Sequence, residues 1–226
     1  VYSVSLLEQD ALERSEVDQL IDQYRSGKIS STDVANLSRD KQDIIYQAKA
    51  FVWVYRRAQD KSPITENDIG MIHTFICGHG DDGVCHISYR DSDVKHEAGF
   101  SSNCEPLTVE DHILIPKSME KLINLLNSSL DVHPVERASY AHYHLLKIHP
   151  FDSKNSQTAF LVMNLLLLQN GYPCVLLSAQ DRLRYVESIE EVRQEKYQKG
   201  DQILFDGVER GFDIIFDLLS DFSVSE

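Results

Sequence analysis

Glycine, proline and cysteine are all scarce in this sequence. The 226 residues include 10 glycines, 6 prolines and 4 cysteines, with no low-complexity tract or internal repeat, so the whole chain is expected to fold. A hydrophobic fraction of 42% can build a core without a metal or a disulfide staple. The four cysteines are Cys77, Cys85, Cys104 and Cys174, and no two of them form a CxxC pair. This spacing favours reduced thiols in a cytosolic setting, although it does not exclude a disulfide.

Positive charge and long hydrophobic runs are also scarce. Lysine and arginine number 22 against 36 acidic residues, which gives a formal net charge of -14. Such a field repels phosphate backbones and anionic headgroups, so nucleic acids and anionic membranes are not expected partners, and a nucleotide would need a local positive site. The longest apolar run, residues 159–168, is broken by Asn164 and is too short for a membrane span.

Helical periodicity dominates the rest of the sequence. Apolar residues on nearly every face of residues 159–168 predict a helix at the centre of the core. Residues 78–107 are instead rich in glycine, aspartate and serine, and alternation at 84–89 predicts a small β-hairpin. The predicted fold class is therefore all-α, a helical bundle with one small hairpin. Predicted helix boundaries are an end before Ser62-Pro63, starts at Thr65 with Asp68 and at Pro134, and an end at Asn170-Gly171.

The segment HPFDSKNSQTAF, residues 149–160, lies between two of the predicted core helices. Pro150 makes the chain turn sharply after His149, and the unpaired N–H groups of the next helix point into the same region. A helix N-terminus beside a histidine can bind an anion and deprotonate a hydroxyl, and Lys154 is the only cation in this loop. A purely structural histidine is the alternative interpretation of these residues.

The stretch LLKIHPFDSKNSQTAFLVMNLLLLQNGYP resembles the core of the Fic (filamentation induced by cyclic AMP) family, whose motif is HPFx(D/E)GNGRxxR. Ala141-His142 before the motif, DRLRYVESIEEVRQ after it and the upstream SYR at 88–90 extend the resemblance. It implies a Fic fold in a single domain, residues 1–226, with a core over about 40–215 and an N-terminal helix within 1–30 that is similar to an inhibitory segment.

The family resemblance implies transfer of AMP, or another phosphate-containing group, from a nucleotide to a serine, threonine or tyrosine hydroxyl of a protein. ATP or another nucleotide with Mg²⁺ would be the donor, and His149 would be the base. The hairpin at 84–107 would be the flap that aligns a target peptide by strand pairing. Its expected target-facing residues are Ser88, Tyr89 and Arg90.

The loop departs from the family motif at most of its phosphate- and metal-handling positions. Asn155 matches the motif asparagine, whereas Lys154 and Ser156 replace the glycines. A Cβ at a left-handed glycine position would cost about 1–2 kcal/mol. Ser153 replaces the acidic metal ligand, so Asp152 is the remaining carboxylate of the loop that could bind a metal. Gln157 and Phe160 replace the two arginines of the motif. The expected phosphate-binding residues are Lys154, Asn155, Ser156 and Gln157.

These departures leave two functional hypotheses of different classes. The first is a divergent Fic-type transferase with altered or weak nucleotide handling, moving AMP or, as in some relatives with altered motifs, phosphocholine. The second is a catalytically inactive Fic-fold module that binds a protein partner without a cofactor. A cytoplasmic location, or secretion into a host cytosol, is expected for either one. A homodimer is one option that the resemblance implies, because dimerisation is common in the family, but the sequence shows no clear interface.

Two further patterns have competing interpretations. In SVSLLEQ, Glu8 aligns with the glutamate of the family's inhibitory motif (S/T)xxxE(G/N), but its arginine partner would be Phe160, and a solvated helix residue is the alternative. His142, His144 and His149 form an H-x-H-x4-H pattern that suggests a metal. Because the first two point to different faces of a helix, convergence on one ion is not expected.

Overall fold

The computed structural model describes residues 13–93, 109–128, 131–178, 180–193 and 198–223. Within these ranges the regular structure is helical, which confirms the all-α prediction for them. The helices are α1 Arg14–Arg25, α2 Ser31–Val34, α3 Arg39–Gln59, α4 Glu66–Ile76, α5 Ile115–Leu126, α6 Pro134–Ile148, α7 Asn155–Gln169, α8 Asp181–Arg193 and α9 Gln198–Ser223, with short 3-10 turns at Gly80–Asp82 and His112–Leu114.

Helix α7 lies at the centre of the core, as its apolar sequence predicts. Between Asn155 and Leu167 every residue except Ser156 is buried, and the helix packs against α3, α4 and α6. Asn164, the polar break in the apolar run, is buried without cost to hydrogen bonding. Its Nδ2 donates to Phe160 O at 2.9 Å and its Oδ1 accepts from Val175 N at 2.8 Å.

The predicted boundary of α4 is confirmed in atomic detail. Thr65 and Asp68 form a capping box, in which Thr65 Oγ1 accepts from Asp68 N at 3.2 Å and Asp68 Oδ2 accepts from Thr65 N at 2.7 Å. Asp68 also pairs with Arg57 of α3 at 2.7 Å, which ties the end of α3 to the start of α4. Helix α3 ends at Gln59, before the predicted break at Ser62-Pro63.

The predicted boundaries of α6 and α7 are also confirmed. Pro134 is the first residue of α6. Gly171 follows α7 with φ +80°, its N–H donates to Leu168 O at 3.1 Å, and Tyr172 N–H donates to Leu167 O at 3.0 Å. This pair of bonds satisfies the last carbonyl groups of α7 as a Schellman motif does.

Two sequence predictions fall at the edges of the described residues. Helix α1 lies within the predicted N-terminal segment, but Glu8 is outside the described range. Residues 84–93 contain no strand, and 94–107 lie outside the description, so the hairpin stays a prediction. In the part of the chain that the structure describes, no helix combines the length and apolar character needed to cross a membrane.

Candidate active site

His149 occupies the turn between α6 and α7. Its backbone is left-handed, with φ +49° and ψ +60°, and its N–H donates to Leu145 O at 2.9 Å as the closing bond of α6. A non-glycine residue in this conformation is uncommon, and it costs about 1–2 kcal/mol unless its surroundings hold it. The turn directs the chain into Pro150 and then back toward the start of α7.

The imidazole of His149 belongs to a partly buried residue. Its Nδ1 atom is buried and has no hydrogen-bond partner among the described residues. Burial, with a smaller contribution from the positive charge of Arg90, lowers the pKa of His149 to about 4. The ring is therefore neutral near pH 7, which is the protonation state a general base needs, although its basicity is weak.

Arg90, one of the predicted flap residues, is buried beneath this turn at 3% exposure. Its Nε donates to His149 O at 2.7 Å, and its own N–H donates to Pro150 O at 2.9 Å. Ser88 is exposed and Tyr89 is partly buried, so of the three expected target-facing residues Ser88 is the most accessible. The side chain of Arg90 faces the histidine turn instead of solvent.

Lys154 retains the left-handed backbone of the glycine it replaces. Its φ is +61° and its ψ is +18°, at the position immediately before α7. Its Nζ lies 2.6 Å from Oδ2 of Asp43, on α3. The single positive side chain of the loop is thus paired with a carboxylate, and a phosphate reaching Lys154 would compete with Asp43.

Asn155 brackets the loop through its side chain. Its Oδ1 accepts from Phe151 N at 3.0 Å and its Nδ2 donates to Phe151 O at 2.7 Å. The residue is buried, so these bonds fix the two ends of the loop against each other. Asn155 stands at the motif position that the resemblance assigns to phosphate binding, but its side-chain amide bonds the backbone of the loop itself.

The loop also rests on α4 through an aromatic contact. The ring of Phe151, which is buried, stacks on His73 with 3.8 Å between centroids and 10° between planes. His73 Nε2 lies 3.3 Å from Ser153 O. Burial lowers the pKa of His73, so the neutral ring is favoured in this contact. Sequence reasoning missed His73 and Asp43, because neither has a local pattern that marks it.

Phe160 stands where the family motif has its second arginine, and it points into the core. Its ring packs edge-on against His142, with 6.2 Å between centroids and 84° between planes. His142 is fully buried, and its Nε2 lies 2.6 Å from Tyr185 Oη. His144 stacks on Tyr140 at 3.7 Å and lines a different face of α6, so the histidines do not converge on one ion.

The remaining predicted ligands differ in exposure. Gln157 is buried, Ser156 is partly buried, and Asp152 and Ser153 are exposed. One carboxylate and one hydroxyl do not form a Mg²⁺ site by themselves, since that ion prefers several anionic oxygens or substrate phosphates. Among the described residues one group could bring three ligand atoms within 4.8 Å, and Asp152 is not part of it: Asp93, Asp111 and His112.

Two adjoining cavities lie between α5 and α6, on a different face of α6 from the His142 contact. Their volumes are about 440 Å³ and about 370 Å³, and they share Leu125 and Tyr140. The larger one reaches Lys147 and Ile148, directly before His149. Together they form a groove beside the histidine turn.

Comparison with known proteins points to one family. Residues 63–167 match the model of the Fic/DOC family. The chain is 32% identical over 143 residues to a protein adenylyltransferase Fic of Drosophila persimilis, covering 63% of this chain and 27% of that protein. It is 35% identical over 136 residues to a protein of the same name from Nematostella vectensis, covering 57% of this chain and 29% of that protein.

Solved structures share the fold. Fic-1 from C. elegans superposes with a TM-score of 0.76 at 21% identity, covering 97% of this chain and 62% of that one. A Fic-domain signalling protein from Bacteroides thetaiotaomicron gives a TM-score of 0.70 at 23% identity, covering 92% and 78%. The present chain spans only about a quarter of the curated relatives' length, as the 27% coverage of the Drosophila persimilis protein shows. The sequence match over residues 63–167, the shared fold and the HPF turn before α7 agree, and this part of the chain is therefore similar to the Fic/DOC family.

Proposed function

We propose that this protein is a divergent Fic-type transferase, which moves AMP or another phosphate-containing group from a nucleotide to a protein hydroxyl. The observation that carries the proposal is the position of His149: a neutral imidazole in a constrained turn beside the N-terminus of a buried helix. The name protein adenylyltransferase, carried by relatives at 31–35% identity, supports the same reaction class.

The proposed reaction is a displacement at phosphorus. The target hydroxyl transfers its proton to Nε2 of His149, since Nδ1 is buried. The hydroxyl oxygen forms a bond to the α-phosphorus of ATP, and the bond from that phosphorus to the pyrophosphate oxygen breaks. Pyrophosphate leaves, and the first N–H groups of α7 stabilise the charge on the phosphoryl oxygens. With CDP-choline the same attack on the choline-bearing phosphorus would release CMP.

Three contacts support weak or altered nucleotide handling. Lys154 is paired with Asp43, the Asn155 amide is bonded to the backbone of Phe151, and Phe160 is buried in the core. A phosphate would therefore depend mainly on backbone N–H groups and on any release of Lys154 from Asp43. We expect a nucleotide Kd well above that of a motif with both arginines.

The partner would be a protein with an accessible serine, threonine or tyrosine. The predicted hairpin flap at 84–107, which includes the exposed Ser88, would align the target chain. Asp152 would supply the one carboxylate toward a nucleotide-bound Mg²⁺. The homodimer and the cytoplasmic or host-cytosol location stay predictions.

A panel of donors tests the proposal. The protein would be incubated with ATP, GTP, UTP and CDP-choline, each with Mg²⁺, and followed by thermal shift and intact mass. We expect stabilisation by at least one donor and a self-modification mass that is lost in His149→Ala. His79→Ala, an exposed histidine just after α4, is the matched control and should keep both signals. A mass that persists in His149→Ala would contradict the proposed base.

A catalytically inactive binding module is the second candidate, and the pairing of Lys154 with Asp43 favours it, because the loop then has no cation ready for phosphate. The groove between α5 and α6 would be its docking surface. If no donor stabilises the protein or modifies its mass, and His149→Ala does not change the biological effect, the binding module is supported over the transferase.

A further inference from the structure

We propose that Arg90, a residue of the predicted flap, is a positioning residue for His149, because it holds the histidine turn through the carbonyl group of His149. The inference rests on the proposed function and adds how the site is coupled to its target-facing segment.

The first support is the set of atoms that the guanidinium contacts. Its Nε donates to His149 O at 2.7 Å and its Nη1 to Ser92 O at 2.9 Å, while Nη2 donates to Glu110 O. The Arg90 N–H adds the 2.9 Å bond to Pro150 O. Arg90 thus bonds the main chain of three segments: its own, the histidine turn, and the stretch before α5.

The second support is the burial of a charge among carbonyl groups. Arg90 is 3% exposed, and the carboxylate that it meets among the described residues, Asp93, is 3.7 Å from Nη1 and itself largely exposed. A buried cation is costly unless its N–H groups are satisfied, and here three of the five guanidinium N–H groups donate to main-chain oxygens. Arginine is suited to this place because its planar fork points several donors in fixed directions and stays charged.

The third support is the conformation of His149 itself. Its carbonyl lies past the end of α6, and its bond from Arg90 restrains the ψ of this left-handed residue. Loss of the bond would let the turn relax toward lower-energy backbone conformations, and the imidazole would move with it. A displacement of about 1 Å at a reacting group can lower a rate by about 100-fold.

The consequence is a direct connection between the flap root and the base. Ser88, Tyr89 and Arg90 are consecutive, so a target peptide that contacts the exposed Ser88 acts two residues from the guanidinium that holds His149. The segment that would meet the target is therefore bonded directly to the turn that carries the imidazole.

Arg90→Lys tests the proposal, because lysine keeps the charge but cannot reach all three carbonyls with a fixed fork. Arg56→Lys, an exposed arginine on α3, is the matched control. The readouts are donor kinetics on the target or self-modification and the ring ¹⁵N spectrum of the histidines. We expect kcat to fall by about 10- to 100-fold with the nucleotide KM within about twofold, and a selective change of the His149 resonances.

Each outcome decides the proposal. Unchanged His149 resonances in folded Arg90→Lys, or an equal change in all histidines, would overturn it. The spectrum does not need turnover, so it remains decisive even where the donor panel is silent and the transferase proposal fails. If Arg90→Lys does not fold, hydrogen exchange of the Arg90 Nε–H in the unaltered protein decides. Exchange at least 10-fold slower than at Arg56 supports the bond from Arg90 Nε to His149 O, and equal exchange overturns it.

Discussion

Lys154 Nζ and Asp43 Oδ2 lie 2.6 Å apart, and this ion pair joins the loop before α7 to helix α3. Each side chain keeps only about a quarter of its exposure, 23% and 25%, so the pair is partly shielded from water. Lysine at this position therefore does not simply replace the charge of a lost motif arginine. It brings a cation whose attraction for phosphate is opposed by a neighbouring carboxylate.

Removing the carboxylate should strengthen anion binding. In Asp43→Asn, Lys154 loses its competitor, and we expect the Kd for ATP or pyrophosphate to fall by about 3- to 10-fold, equivalent to about 0.7–1.4 kcal/mol. Isothermal titration calorimetry measures it. Asp40→Asn, an exposed change on the same helix, carries the same change in net charge and should leave Kd within about twofold. Equal effects of the two variants would show that Lys154 does not contact the anion.

The left-handed backbone at Lys154 is expected to lower the stability of any variant that has a Cβ at this position, compared with glycine. Lys154→Gly and Lys154→Ala both lose the bond to Asp43, so their difference isolates the backbone conformation at φ +61°. We expect the glycine variant to have the higher free energy of unfolding by about 1 kcal/mol. Urea unfolding measures it. The same comparison at Ser153, where φ is not positive, should favour alanine, and the absence of this reversal would refute the assignment of strain to Lys154.

The two hydrogen bonds between the Asn155 side chain and Phe151 predict a loss of stability when Asn155 is replaced. Asn155→Ala leaves the N–H and C=O of Phe151 without their partner in a buried place, which costs about 1–3 kcal/mol in the free energy of unfolding. Chemical denaturation tests this, with Asn124→Ala on the exposed side of α5 as the control. A loss no greater than that of the control would show that the two bonds to Phe151 contribute little to stability.

Acid should destabilise the protein through its buried histidines. Burial lowers the pKa of His142 to about 4 from an ordinary value of 6.5. Between these two values the unfolded chain binds the proton and the folded chain does not, so stability falls as the pH drops from 6.5 toward 4. From this one histidine the free energy of unfolding should fall by about 2 kcal/mol between pH 7 and pH 4.5.

The variant His142→Gln isolates this contribution, because glutamine has no proton to gain in that range. Its loss of stability between pH 7 and pH 4.5 should be smaller than that of the unaltered chain, whatever its absolute stability. The exposed His79→Ala should retain the full slope. Identical slopes for the His142 variant and the unaltered chain would show that His142 is not the titrating group.

Local chemistry made the helices predictable. Capping at Thr65 and Asp68, the glycine after α7 and the proline that opens α6 act within a few residues of the chain, so their effect can be recognised in sequence. The apolar residues on nearly every face of α7 likewise identify a buried helix before any packing is known. The HPF motif located the histidine turn for the same reason, since its family pattern is local.

The partners within the site were decided only by the tertiary structure. Asp43 and Lys154 are 111 residues apart in the chain, and Arg90 and His149 are 59 apart. No local pattern fixes which carboxylate meets the loop cation, or that an arginine of the predicted flap is buried under the histidine. By itself the sequence determined an all-helical Fic-type framework and the position of its histidine turn. Packing of α3, α4 and the segment after α4 around α7 decided which charges are paired, because that outcome depends on side chains brought together from distant parts of the chain.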